Sequence, residues 1–435
     1  MRAAAERGGK ISDLAAQGSC FFVVLSLVDR VGSFTAEWMG SATKAWHQLL
    51  PLFEHFCMAP PSSDQPQTRL PLFPVYFGIA ASLIAIGSWI ATRFYSGASF
   101  LQVWKPFLLT QYQFDYEYEF VKRGLIGELF RLADVPRTGP AIGAVSFALM
   151  LGVTWLVYTA FTAFVGQEKS RALPVAFLFC PATFLQAGWD PGRLDPWLFL
   201  ITLLLLVCMR QSGIVWTAVS VLLTLFGVGV HEMFLLAGFP LAFAGLALTA
   251  LHSPDRRRDL LVRAVALVAT AGFASICIHL VGNFDTLSVE DFTRIITARG
   301  TVREPSMEAI LVAFRGLSAN AEHTHHILAA RFSWRVGVCA GVFAIYLCTA
   351  IWSARRSLSA VAFVLVATLS PVSLLVLGHD YGRWFAFAAQ NALVSIAFLQ
   401  TCCPLPFDEL GRLRWLGLLV LLGPFGVTVG FPWLG

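Results

Sequence analysis

Residues 141–165 read AIGAVSFALMLGVTWLVYTAFTAFV, 25 positions without a single charge. At about 1.5 Å of rise per residue, a helix of this length outreaches the roughly 30 Å hydrocarbon core of a bilayer. Similar runs recur along the 435 residues, which are 57% hydrophobic and 13% charged. Mean hydropathy is +0.69. Soluble domains carry about a quarter charged residues, so the composition specifies an all-α polytopic membrane protein.

Eleven spans are expected: Leu70–Thr92, Ala141–Val165, Ala172–Trp189, Pro196–Met209, Ile214–Val230, Met233–Leu251, Leu261–Gly282, Trp334–Trp352, Leu358–Gly378, Trp384–Cys402 and Trp415–Phe431. The fourth is short and must be tilted or broken at one end. Residues 1–69 form a separate cytoplasmic or interfacial segment, with an amphipathic stretch at Trp38–Met58 and a polar, proline-bearing linker at Pro60–Gln67. Cys20–Val28 is too short to span, and no small-residue cleavage site follows it. Residues 70–435 are the membrane domain.

Charge bias orients the spans. Short loops of one parity carry Lys169 and Arg171; Arg210; Arg256, Arg257, Arg258 and Arg263; Arg355 and Arg356; Arg412 and Arg414. Short loops of the other parity carry only Arg193 and Arg383. The N-terminus is therefore expected in the cytoplasm and, with an odd number of spans, the C-terminus outside. The basic inner loops read as topology signals and little more. The outer loops are 93–140, 190–195, 230–232, 283–331 and 379–383, and every cluster of mixed charge falls in one of them.

Four such clusters carry chemistry. FDYEYEFVKRGLIGELFR, residues 114–131, is the densest. Read as a helix, it places Asp115, Glu119, Lys122 and Arg123 on one face, with Glu119 and Arg123 paired. Asp115, with Glu117 as second choice, would be a general base, and Lys122 and Arg123 would hold an anionic leaving group. The glycines of RGLIG point to close packing. GWDPGRLDP sets Asp190, Arg193 and Asp195 in a tight turn between apolar spans, where unpaired charge is costly. His231-Glu232 sits between two spans with scarcely any loop, and HEMFL is not the HExxH of a metalloprotease. GHDYGRW places His379, Asp380 and Arg383 just after a span, and an arginine there could grip a phosphate with two parallel hydrogen bonds. EHTHH, at Glu322–His326, reads as a solvated polar loop.

Other classes are disfavoured. No basic stripe interleaved with aromatics marks a nucleic-acid surface, despite a net charge of +5. Nine cysteines without CxxC spacing imply neither a disulfide framework nor structural zinc. Nucleotide-binding glycine motifs are absent. No cofactor is expected; a divalent ion bridging acids and phosphate would be compatible with the acids but nothing indicates one.

With cytoplasmic N-terminus, acidic FDYEYE in the first outer loop and DPGRLD in the second, the chain resembles the C-type (GT-C) glycosyltransferases. The resemblance covers about residues 70–430 and is one of architecture; FVKRGLIG is no signature of a named family. It implies amphipathic helices in the first outer loop, a catalytic carboxylate there, and a polyprenyl-phosphate-linked sugar as donor. On that reading Asp115 or Glu117 takes the acceptor's proton and Lys122, Arg123 and Arg383 hold the phosphate. Asp190, Arg193, Asp195, His231, Glu232, His379 and Asp380 shape the sugar site. The acceptor would be a glycan, lipid or protein, at the periplasmic face of a bacterial inner membrane. Beside a structural membrane subunit without chemistry, two alternatives stay open. One is an O-antigen or polysaccharide polymerase or ligase, which would use Arg294, Arg299, Arg303 and Arg315 of the long 283–331 loop. The other is a transporter or flippase for lipid-linked glycans, disfavoured because the span interiors carry essentially no ionisable residues.

Overall fold

The chain divides into two units, Met1–Gln65 and Pro66–Gly435. The computed structural model describes residues 72–96, 105–165, 172–282, 284, 286–302, 304–316, 319–322, 324, 334–378 and 380–425, all within the second. Everything described is helical or irregular, without a strand. The helices are α1 Leu72–Ser96, α2 Pro106–Gln111, α3 Leu125–Leu132, α4 Gly139–Val165, α5 Ala172–Leu178 and α6 Phe184–Trp189. Next come α7 Asp195–Cys208, α8 Ile214–Val230, α9 Phe234–Ala237, α10 Phe239–His252, α11 Arg257–Val281 and α12 Val289–Ala298. The last are α13 Met307–Phe314, α14 Trp334–Ala354, α15 Leu358–Leu369, α16 Tyr381–Leu399 and α17 Phe407–Arg412.

Six helical segments among the described residues are long and apolar enough to cross a membrane, and α7 and α8 are shorter apolar helices. Their surfaces agree with a bilayer. On α11, Leu261, Val265, Phe273, Ile276 and Leu280 all point out of the bundle, more than half exposed. A continuous apolar face of that kind is unstable against water and at home in lipid.

At the centre stands α16, in which every residue but Gln390 is buried. Its apolar surface is covered by α14, α15 and a 3-10 turn, Pro371–Val376. Asn391 donates to the carbonyls of Ala237 and Ala367, at 2.7 and 2.8 Å, and so ties α9 and α15 to the central helix. A buried amide satisfied this way specifies register as well as adding stability.

Prolines interrupt several expected spans, because each removes a helical N–H and clashes one turn back. Residues 172–189 split into α5 and α6 around Pro181, where the Thr183 hydroxyl bonds the carbonyls of Phe177 and Cys180. Residues 358–378 change from α15 to the 3-10 turn at Pro371. The stretch from Leu413 to Leu422 is 3-10 helix, and residues 426–431 of the last expected span lie outside the described residues. Basic residues at the other end of the bundle have a structural role. Arg263 is fully buried and bonds the carbonyls of Cys208 and Gln211, while Arg256 bonds those of Met209 and Gln211. Two cations thus close the C-terminal end of the short α7, where the helix dipole favours them.

Residues 114–131 are not one helix. The chain runs from α2 through irregular turns at 112–123 and becomes helical only at Leu125. Arg123 turns it with a positive φ of 65°, a conformation non-glycine residues rarely adopt. Gly127 then lets α3 lie against the preceding segment, since a Cβ there would stand 1.9 Å from the Phe114 carbonyl oxygen. A small second core forms beside the main one, from Phe114 and Val121 with Phe284, Phe292, Ile296 and Ile310. Gly127→Ala is therefore expected to cost about 1–3 kcal/mol through overpacking. Gly152→Ala, where a Cβ meets nothing, is expected to be neutral or slightly stabilising. Thermal unfolding of the two variants in detergent micelles checks the contrast.

Candidate functional site

The N-termini of α7 and α16 bring their acids together. Asp195 opens α7, and Asp380 directly precedes α16. Both positions favour negative charge through the helix dipole. Arg383, within the first turn of α16, sits where a lone cation would be disfavoured, and it is satisfied by both acids. Its Nε and Nη2 grip Asp195 at 2.8 and 2.5 Å, and Nη1 holds Asp380 at 2.7 Å. Arg193 continues the series, pairing with Asp190 at 2.5 Å and standing 3.6 Å from Asp380. Lys105 closes it on the other Asp190 oxygen at 2.9 Å. Burial alone would raise the Asp190 carboxyl, but Arg193 and Lys105 hold it below its ordinary value. The result is an alternating run of three cations and three anions in which Lys105 is the one well-exposed member.

A second group lies on the same side of Arg383 as a large cavity. Arg123 reaches Glu232 with a two-pronged grip, Nε and Nη2 at 3.1 and 2.5 Å from Oε1. Burial would raise the Glu232 carboxyl, yet Arg123, seconded by His231, keeps it well below the usual carboxylate range. His231 ends α8, its Nδ1 accepting the Met233 N–H at 3.2 Å. Burial, aided by Arg123 and opposed by Glu232, pushes the imidazole down to about 4, so it is neutral at neutral pH. Lys122 donates from Nζ to the Arg315 carbonyl. Burial lowers its ammonium to about 8, against the pull of Glu232 and with the help of Arg123.

These groups line one cavity of about 420 Å³, with Lys122, Arg123, His231, Glu232, Asp380 and Arg383 all on its wall. Gln111, Ser275, His279, Glu308, Arg315, Asn320 and Thr324 complete its polar lining. Apolar side chains form the remainder, chief among them Phe107, Leu236, Ile278, Leu377 and Trp384. Four cations face three carboxylates, so with His231 neutral the cavity favours an anion. Asp190, Arg193 and Asp195 do not line it. They surround a separate space of about 60 Å³, and Arg383 borders both.

Asp115 and Glu117 stand elsewhere. Neither lines either cavity. Asp115 is buried and held by Arg137 at 2.6 Å and Arg299 at 3.1 Å, while the exposed Glu117 pairs with Arg299 at 2.9 Å. The expected helix would have put Asp115 on the face of Lys122 and Arg123; the actual turns direct it the other way. Nor does Glu119 pair with Arg123. It accepts instead from Thr286 and Leu287, and Arg123 belongs to Glu232. Arg383 is occupied on three nitrogens by carboxylates, which makes it a bridge more than a phosphate grip. His379 lies outside the described residues, as do three of the EHTHH positions, His323, His325 and His326. Among the described residues no three His, Cys, Asp or Glu side chains stand together as a metal site.

Lys105 and Glu308 were not among the expected site residues, and Arg315 was expected only for the polymerase or ligase reading. Lys105 offered one signal, a lone cation in an apolar stretch beside a proline. Removing Arg383 leaves two carboxylates without their shared cation, so Arg383→Met is expected to destabilise by about 3–5 kcal/mol. Removal of the exposed Arg294–Asp291 pair by Arg294→Ala is expected to cost at most about 1 kcal/mol. Denaturant or thermal unfolding in micelles reads both. Comparison with known protein families, with curated proteins and with solved structures finds no match to this chain.

Proposed function

We propose that the protein is a membrane glycosyltransferase of the C type, with about eleven spans and a cytoplasmic N-terminus. On this reading it moves a sugar from a polyprenyl-phosphate donor to an acceptor at the outer face. The observation that carries the proposal is the 420 Å³ cavity. It joins Lys122, Arg123 and Arg315 to a predominantly apolar wall, a pairing suited to a phosphate attached to a hydrocarbon chain. Its charged side chains come from loops that the charge bias assigns to the outer side, and the spans supply much of the apolar wall.

Lys122, Arg123 and Arg315 hold the donor phosphate and stabilise it as it leaves. The acceptor hydroxyl oxygen forms the new bond to the anomeric carbon as the bond from that carbon to the phosphate oxygen breaks. The polyprenyl phosphate departs with the electron pair, and the hydroxyl proton passes to a carboxylate. Asp115 and Glu117 stand outside the cavity, so we assign the proton to Glu308, a carboxylate that lines it from the first turn of α13. Asp380, through Arg193 and Arg383, couples the sugar site to the helix ends.

Arg315 also favours a second reading, a polymerase or ligase for lipid-linked glycans, since it comes from the long outer loop and faces the cavity. The length distribution of surface glycan in a deletion strain separates the two. A polymerase changes the repeat number, and a side-branch transferase leaves it intact.

Two outcomes test the primary reading. Transfer per folded molecule, followed as consumption of lipid-linked sugar in membranes, is expected to fall about 10²–10⁴-fold in Glu308→Gln, as for loss of a general base, and to persist in Asp115→Asn. Full activity of a normally expressed Glu308→Gln removes the base assignment. Anion affinity is expected to weaken as pH rises through about 8, where Lys122 loses its proton, by up to about tenfold per pH unit. Bound anion moves that midpoint upward, and Lys122→Arg, whose guanidinium does not titrate there, is expected to flatten the profile. Calorimetric titration with an alkyl phosphate across pH 6–10 (roughly the working range of such a measurement) reads the difference.

A further inference from the structure

Residues 113–123 contribute two side chains to the cavity, yet they are among the most heavily bonded irregular stretches of the chain. They run beside the segment that follows α11 and are joined to it at successive points. Arg299, at the end of α12, donates to the Gln113 carbonyl at 2.7 Å and pairs with Glu117 at 2.9 Å and Asp115 at 3.1 Å. Glu119 accepts from the Thr286 hydroxyl at 3.1 Å and the Leu287 N–H at 3.2 Å. The Lys122 N–H donates to the Gly282 carbonyl at 2.9 Å, and Lys122 Nζ to the Arg315 carbonyl. Further back, the Ser306 N–H donates to the Thr110 hydroxyl at 2.9 Å. The small second core lies between the two segments, with Phe114 and Phe292 rings 5.6 Å apart.

The joined segments carry Lys122, Arg123 and Arg315, three of the four cavity cations. The helix ends beneath carry Glu232, Asp380 and Arg383. The spacing of cations against carboxylates, and hence what the cavity can hold, is set by how the two segments sit together. We propose that they close over the helix ends as one cap, with Arg299 as its clasp. Arg299 touches nothing in the cavity. It is a positioning residue that acts through Lys122, Arg123 and Arg315.

The two arginines on Asp115 differ in kind. Arg137 belongs to the same loop as Asp115 and is 10% exposed, so it shapes that loop. Arg299 crosses from the other segment, is 19% exposed and meets a Glu117 that is 45% exposed. A pair so placed is partly screened by water and modest in strength, which is what a contact that opens and closes requires. It also explains an acid as buried as Asp115 outside the cavity: its carboxylate is the fixed half of the clasp.

The inference rests on the cavity taking an anionic lipid phosphate only for its binding readout. Hydrogen exchange of the full-length protein in nanodiscs tests the cap directly. In Arg299→Gln the amides of 113–123 and 286–302 are expected to speed up together by about tenfold, with α16 unchanged. Dodecyl phosphate affinity is expected to fall about tenfold as the cations lose their placement, and Arg299→Lys to recover part of it. Thr286→Val, which removes a donor at a different joint, is expected to loosen the same two segments and serves if Arg299→Gln does not fold. Loosening of one segment alone, or wild-type dodecyl phosphate affinity in Arg299→Gln, overturns the clasp. If the wild-type protein fails to bind dodecyl phosphate, the functional reading falls, and joint or separate exchange still decides the cap.

Discussion

A charge set among apolar helices must be paired, and the run Lys105–Asp190–Arg193–Asp380–Arg383–Asp195 is how this protein meets that demand. Four of the six are shared between two partners, and loss of Asp190 or Arg383 leaves an end member, Lys105 or Asp195, without its partner in the run. The helix dipoles contribute as well. Asp195 and Asp380 stand at helix N-termini, and Arg383, the one ion with an unfavourable position on its helix, is gripped by both. The N-termini of α7 and α16 are linked by these bonds.

The cavity inherits its floor from the same run. Asp380 and Arg383 belong to both the ion-pair run and the cavity wall, so the run fixes two charged groups beneath the space where Lys122, Arg123 and Arg315 converge. The neighbouring Glu232 is fixed in turn by Arg123, whose positive φ is the backbone cost of directing a guanidinium there from the residue after Lys122. Neutral His231 adds polarity without charge. A site with an excess cation and an apolar side wall suits the amphiphilic anion proposed above.

Much of this was legible in the chain. Apolar runs announce the helices, and clusters of mixed charge in a poorly charged protein mark the cavity wall: Lys122, Arg123, His231, Glu232, Asp380 and Arg383 all face it. Partners were harder. Helical spacing suggested Glu119 for Arg123, but its true partner, Glu232, is 109 residues away, and Glu119 serves Thr286, 167 residues away. Local periodicity cannot report pairings that only the tertiary fold creates. The misreading of 114–123 as helix has a specific cause, since its charges fit a helical face while Arg123 leaves helical φ and Gly127 admits a backbone contact no other residue would. Pro181 and Pro371 break two spans that the apolar runs alone present as continuous. Arg137 gave no local sign, and Arg299 stood out only as one of four arginines in the long loop, because each acquires its partner only against the acids of another turn.

The central claim is that the cavity between residues 107–123, α13 and the ends of α8 and α16 is where an anionic lipid is held. Photo-crosslinking with a diazirine-bearing long-chain alkyl phosphate, mapped by mass spectrometry on the protein in nanodiscs, tests it most directly. The account expects label concentrated on peptides that include Phe107, Leu236, Ile278 and Leu377, and competed away by unlabelled alkyl phosphate but not by a neutral alkyl alcohol. Label spread over the exposed face of α11 with no trace in the cavity, or equal competition by the alcohol, would contradict it.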